Sequence, residues 1–307
     1  MTTSADLPLR GAAAPSVSGV ITGEPGAPSE PPRADCVADS AGGLTFDVVP
    51  PGRPGAAEAW DAALLLRRRG GRGAPTDELR LPLVPAGDGR LRAALPSTVA
   101  LPEGRWDAFA VSAGGEPERI MPGINDLRSL LDRRPDPERG SVAVRIPYVT
   151  KNGNLSVRSW LRAPHAEAGE IHVTEESVSV RGRTFGRAAG PDAVVEARRR
   201  GDPETVRTAP VTGEGTRFTF SLSYPELAGP WQGGSEAWDL WLRPAADADA
   251  VRIGRLLDDV AEKKHIFTYP SQPLTAPNGP VRVGPYYTLD NDLSVRVAED
   301  RSQDAAE

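Results

Sequence analysis

The chain has 307 residues, comfortable for two domains, and its 32 Gly and 31 Pro exceed what a helical protein tolerates. With 36 basic against 42 acidic residues the net charge is −6, so the basic excess that neutralises phosphates in a nucleic-acid-binding domain is missing. The lone cysteine, Cys36, excludes an intramolecular disulfide and thiolate metal sites, which leaves no cofactor or metal expected.

Residues 1–41 are rich in Ala, Gly, Pro and Ser and are expected to form a disordered tail, with Cys36 inside it. The start, Met1-Thr2-Thr3-Ser4-Ala5-Asp6, has no basic region or apolar core of a signal peptide, and no stretch is apolar for long enough to span a bilayer. A cytoplasmic location without a membrane span is therefore expected. Structure should begin near Leu44-Thr45-Phe46-Asp47-Val48-Val49.

Downstream, Leu79–Leu81 and Arg90–Leu95 flank Gly87-Asp88-Gly89, a hairpin signal. Ile124, Leu127, Leu130 and Leu131 recur at helical spacing and predict a helix over 124–133, the one helical candidate. Val142–Ile146 and Leu155–Leu161 read as strands joined by Asn152-Gly153, a strong short-range hairpin turn. Pro164–Gly169 reads as a linker. Ile171–Val173, Val178–Arg181, Thr216–Leu222 and His265–Tyr269 read as further strands.

The sequence also repeats itself. Asp61-Ala62 and Arg67-Arg68-Arg69-Gly70 return as Asp192-Ala193 and Arg198-Arg199-Arg200-Gly201, Trp106-Asp107 as Trp238-Asp239, and Arg119-Ile120 as Arg252-Ile253. Pro147–Arg158 matches Pro285–Arg296 at 7 of 12 positions. The offsets, 131, 132, 133 and 138 (61 to 192, 106 to 238, 119 to 252, 147 to 285), rise and never fall, as two copies with a few insertions require. The expectation is an all-β chain of two tandem immunoglobulin-like β-sandwich modules arising by internal duplication, at 42–163 and 168–299, with a disordered C-terminus at 300–307.

Chemistry-bearing residues are sparse. His165 and Glu167 form an H-x-E fragment without the cysteines a zinc deaminase needs, so a linker histidine is expected, and His172 should face solvent. There is no Gly-x-Ser-x-Gly elbow, phosphate-binding loop or dinucleotide fingerprint. Asp126 with Asp132, or Asp258 with Asp259, are the carboxylate pairs to weigh against plain loop residues. Asp290-Asn291-Asp292 looks like part of a calcium loop but lacks its glycine and its bidentate glutamate, and its counterpart Asn152-Gly153-Asn154 makes a hairpin turn the simpler reading. The two arginine runs read as phosphate sites or as solvated strand ends. Trp106, Trp238 and Trp241 read as core anchors or as a sugar-stacking face. No catalytic or metal residue is assigned, and the binding residues are unknown at this level.

The box Pro-Tyr-x-Thr then Leu-Ser-Val-Arg, together with Arg252-Ile253-Gly254-Arg255-Leu256-Leu257-Asp258-Asp259, resembles the β-sandwich region that follows the catalytic domain in actinobacterial envelope family-2 glycosyltransferases and teichoic-acid-type glycerophosphotransferases. An actinobacterial origin agrees with a composition high in Ala, Gly, Pro and Arg and low in Lys. The Asp-x-Asp nucleotide-sugar domain is missing, so no catalytic residue carries over. The resemblance implies a non-catalytic accessory or binding protein, with an envelope glycosyltransferase or its polymer product as partner. A transferase with a site between the modules and a structural interaction module are the alternatives.

Overall fold

The computed structural model describes residues 30–50, 62–70, 77–112, 115–136 and 140–301. The expected tail over 1–29 and the last residues, 302–307, lie outside the described residues. The described chain is all-β, built from several mixed sheets.

The first stretch contains β1 (Arg33–Ala38), β2 (Leu44–Val49), β3 (Ala63–Arg68), β4 (Glu78–Pro82), β5 (Val84–Pro85), β6 (Leu91–Leu95), β7 (Gly104–Val111), β8 (Glu118–Arg119) and β9 (Met121–Asp126). A one-turn helix, α1 (Arg128–Leu131), then leads to the hairpin of β10 (Val142–Val149) and β11 (Leu155–Arg162). One sheet runs β5-β6-β2-β1-β9, the other β10-β11-β7-β3-β4 with β8 also on β7. The β1–β9 contact is parallel, whereas β1–β2 and β2–β6 are antiparallel. Burial alternates along β2 and β6, so each presents one apolar face. Those faces, with Phe46, Val48 and Leu91, meet Leu64, Trp106, Val144 and Val157 of the other sheet in a single hydrophobic cluster.

The second stretch contains β12 (His165–Val173), β13 (Ser177–Phe185), β14 (Val194–Arg199), β15 (Asp202–Pro210) and β16 (Arg217–Ser223). The short helix α2 (Tyr224–Ala228), β17 (Ser235–Arg243), β18 (Val251–Gly254), β19 (Gln272–Ala276), β20 (Gly279–Tyr287) and β21 (Leu293–Glu299) follow. Its strand order is β16-β13-β12-β18-β17-β21-β20-β19, with β14 on β17 and β15 on β14. The path β20-β21-β17-β14-β15 has the same order as β10-β11-β7-β3-β4. Likewise β16-β13-β12-β18, with β12 parallel to β18, follows β6-β2-β1-β9. Trp106 sits opposite Val157 and Asp107 opposite Ser156, while Trp238 sits opposite Val295 and Asp239 opposite Ser294. Pro147 and Pro285 face those same valines from the next strand. A second cluster, with Trp238, Phe218, Phe220 and Val295, forms the core here.

Several expectations are corrected. Strand β1 falls inside the stretch expected to be tail, with Cys36 fully buried. Its inward residues, Ala34, Cys36 and Ala38, are too small to give a strong apolar signal, yet the strand pairs on both edges. Pro164–Gly169 is no linker, because β12 starts at His165 and buries Ala166 and Ala168. The helix predicted over 124–133 shrinks to α1. Ile124 instead lies on β9 with its side chain 74% exposed, since the backbone there pairs with β1 rather than closing helical turns. Helix α2, with Pro225 in its first turn, was not expected. His265–Tyr269 is a turn in which Ile266 N and Phe267 N donate to Lys263 O, not a strand. The turn at Gly87-Asp88-Gly89 joins β5 to β6, while β4 pairs with β3 in the other sheet. Asp300, placed in a disordered end, is buried, and its N–H donates to Pro280 O. The Asn152-Gly153 hairpin forms as expected, with Gly153 at φ 74° and the matching Asn291 at φ 62°.

Candidate functional site

The repeated Trp-Asp, Arg-Ile and Leu-Ser boxes converge on one motif in each stretch. The guanidinium of Arg252 donates to the carbonyls of Leu240 and Leu293, to the Asp239 carboxylate at 2.9 Å and to Ser294 Oγ at 2.8 Å, tying β17, β18 and β21 together. Arg200 forks onto the same Asp239 at 2.5 and 3.1 Å. Burial alone would raise the Asp239 pKa, but the Arg200 hydrogen bonds, the Arg252 charge and Ser294 outweigh it and hold the carboxyl below its ordinary range. In the first stretch Asp107 takes Arg69 at 2.6 Å, Arg119 at 3.1 Å and Ser156 Oγ at 2.7 Å.

Beside the second motif stands Tyr286 on β20, with the Arg296 guanidinium 4.4 Å from its ring centroid. Three cavities of about 520, 370 and 370 Å³ share these two side chains. Arg199, Arg200 and Glu236 line one, Lys264 and Arg282 the next, and Asp239, Asp290 and Asp292 the third. Among the described residues the side chains of Arg296 and Lys264 form no ion pair or hydrogen bond, so both charges face the groove unneutralised. The first stretch has a cavity of about 710 Å³ at Tyr148, Lys151 and Asp107. There Arg158, which corresponds to Arg296, is buried and capped by Asp290 at 2.5 Å.

The residues singled out from sequence are mostly engaged elsewhere. Arg67 and Arg68 pair with Glu78 and Asp77, Arg198 with Glu196, and Arg199 forks onto Glu236, so of the two readings the arginine runs are salt-bridged strand ends. Trp106 and Trp238 are buried, while Trp241 is half-exposed under the guanidiniums of Arg198 and Arg252. His165 is buried with Nε2 2.7 Å from Glu167 Oε2, and the same carboxylate accepts the N–H groups of Leu256 and Leu257. His172 and His265 are exposed and take no part in the groove. Asp126 pairs with Arg128, and Asp132 lies exposed at the end of α1. Asp258 accepts from buried Lys263 at 2.7 Å and from Arg255 at 3.0 Å, a loop clamp beside Asp259. Among the described residues no group of His, Cys, Asp and Glu could hold a metal, and no helix is long and apolar enough to cross a membrane. Tyr286 and Arg296 were visible in sequence only as part of the repeated box. That Arg158 is covered and Arg296 open depends on what packs against each.

No family model and no curated protein matches the chain. Solved structures do. S. aureus TarS is similar at 14% identity and TM-score 0.37 over 56% of this chain and 30% of that one. A TarS fragment spanning 217–571 is similar at 12% identity and TM-score 0.30, over 64% of this chain and 56% of that one. A tetra-tandem repeat from the extending region of a large adhesion protein is similar at 13% identity and TM-score 0.19, over 89% of this chain and 67% of that one. The chain thus spans under two thirds of each TarS structure.

Proposed function

We propose that the chain is two copies of one immunoglobulin-like sandwich module and serves as a non-catalytic accessory or binding protein in the synthesis of a cell-envelope glycan or teichoic-acid-like polymer. The matching strand orders and registers support the duplication. The Tyr286 groove carries the binding reading: an aromatic ring topped by a guanidinium, flanked by a second free cation, suits a sugar or polyol chain that bears anionic groups. The carboxylates lining it, Asp239, Glu236, Asp290 and Asp292, are each held by arginine.

The test is calorimetric titration of the full chain with a purified polyol-phosphate polymer and with a neutral glycan. Wild type should prefer the anionic polymer, and Tyr286→Ala and Arg296→Ala should each weaken binding about ten-fold at unchanged Tm. Equal affinity in wild type and both variants would remove the groove from the reading.

A further inference from the structure

The second stretch carries a cluster of cations that the first neutralises. In the first stretch, β2 and β6 lie side by side with Val48 opposite Leu91. On their outer face Arg90 reaches Asp35 at 2.5 Å and Arg92 forks onto Asp47 at 2.6 and 2.8 Å, so the patch is self-neutralised. In the second stretch β13 and β16 pair the same way, with Gly182 opposite Phe218 and Arg183 directly opposite Arg217. Here Arg181 stands where the register of β2 and β6 places Asp47, and β12 bulges between Ala168 and Ile171 where β1 carries Asp35. Arg183 and Arg217 are exposed, and among the described residues neither side chain forms a hydrogen bond or ion pair.

Like charges directly opposite one another on paired strands repel, so an unpartnered Arg–Arg pair costs the free protein something. A cavity of about 470 Å³ opens at the pair, lined also by Gly182, Thr219 and Leu257. Gly182 has no room for a side chain on the core side of β13, where a Cβ would meet Phe218 Cζ at 2.3 Å and Glu167 O at 2.5 Å. The nearby carboxylates are committed, Glu167 to the Leu256 and Leu257 N–H groups and to His165, and Glu170 to Arg181.

We infer that this groove binds a phosphate ester, its phosphate held between Arg183 and Arg217 and its organic part resting beside Thr219 and Leu257. Two guanidinium forks approaching from adjacent strands match the several oxygens of a tetrahedral oxyanion, and the ligand's charge removes the repulsion between them. The cavity exceeds a bare phosphate, which leaves room for the carrier. The site is separate from the Tyr286 groove and does not depend on its assignment.

The experiment titrates the full chain with glycerol 3-phosphate, inorganic phosphate and acetate at constant ionic strength. Glycerol 3-phosphate should bind, inorganic phosphate should compete with it, and acetate should not. The double variant Arg183→Ala/Arg217→Ala should lose about ten-fold or more in affinity while its Tm in phosphate-free buffer holds or rises. Arg296→Ala should bind glycerol 3-phosphate like wild type, which separates this site from the other. Unchanged affinity in the double variant overturns the site, and acetate competing as well as phosphate overturns the ligand class. A double variant whose Tm rises with binding intact would mean that the arginines are only a repelling surface pair.

Discussion

Trp106 and Trp238 show how a residue can be read from sequence and what limits the reading. Each recurs at the same place in its stretch, and each is buried, with Trp106 Nε1 donating to Pro102 O at 3.0 Å. Replacing either by Ala should cost roughly 3–5 kcal/mol, because the lost aromatic area leaves a cavity that a sheet collapses around poorly. Denaturant melts of each variant check this; a loss under 1 kcal/mol at either position would place that ring at the surface. Arg158 and Arg296 are the counterexample. The two are the same letter in the same box, yet one is capped by Asp290 and stacked on Trp160 while the other lies open on Tyr286. A repeated box exposes what the two stretches share. The contacts that distinguish them come from whichever loop lands on each, and no local pattern encodes that.

At the scale of elements, the strands legible in sequence were those with bulky alternating residues, such as Phe218-Thr219-Phe220-Ser221-Leu222 in β16, or a strong turn, such as Asn152-Gly153. Two strands that escaped, β1 and the start of β12, bury Ala and Cys. Small residues contribute little apolar area each, and the stability of these strands comes from hydrogen bonding on both edges. Strand β1 thus carries a specific expectation. Deleting residues 1–38 removes a strand paired to both β2 and β9, and Tm should fall by more than about 8 °C relative to a truncation that begins at residue 30. The Cys36 thiol gives an independent readout, since burial pushes its pKa up and keeps it from thiol reagents until β1 detaches. Equal melting of the two truncations would show β1 to be dispensable.

At the scale of the molecule, the two stretches are joined by more than chain continuity. Leu256 and Phe185 of the second belong to the hydrophobic cluster of the first. The Asp290-Asn291-Asp292 turn, the fragment of a calcium-like loop in the sequence, is a docking element. Asp290 Oδ1 accepts from Arg158, its carbonyl accepts from Trp160 Nε1 at 3.1 Å, and Asp292 takes Arg162 at 2.7 Å. Arg162 is the pivot, because it also forks onto Glu103 at 3.0 and 3.3 Å with its side chain only 12% exposed. Truncating it strands two partly buried carboxylates, Glu103 and Asp292, and removing one partner of such a pair costs far more than the pair contributes to stability. Arg162→Ala should therefore lose roughly 3 kcal/mol. It should also turn a single unfolding transition into two, with Trp160 fluorescence at the junction changing before the circular dichroism of the strands. A variant that melts in one step within 1 kcal/mol of wild type would reduce the junction to a surface contact and leave the stretches coupled by their shared apolar core alone.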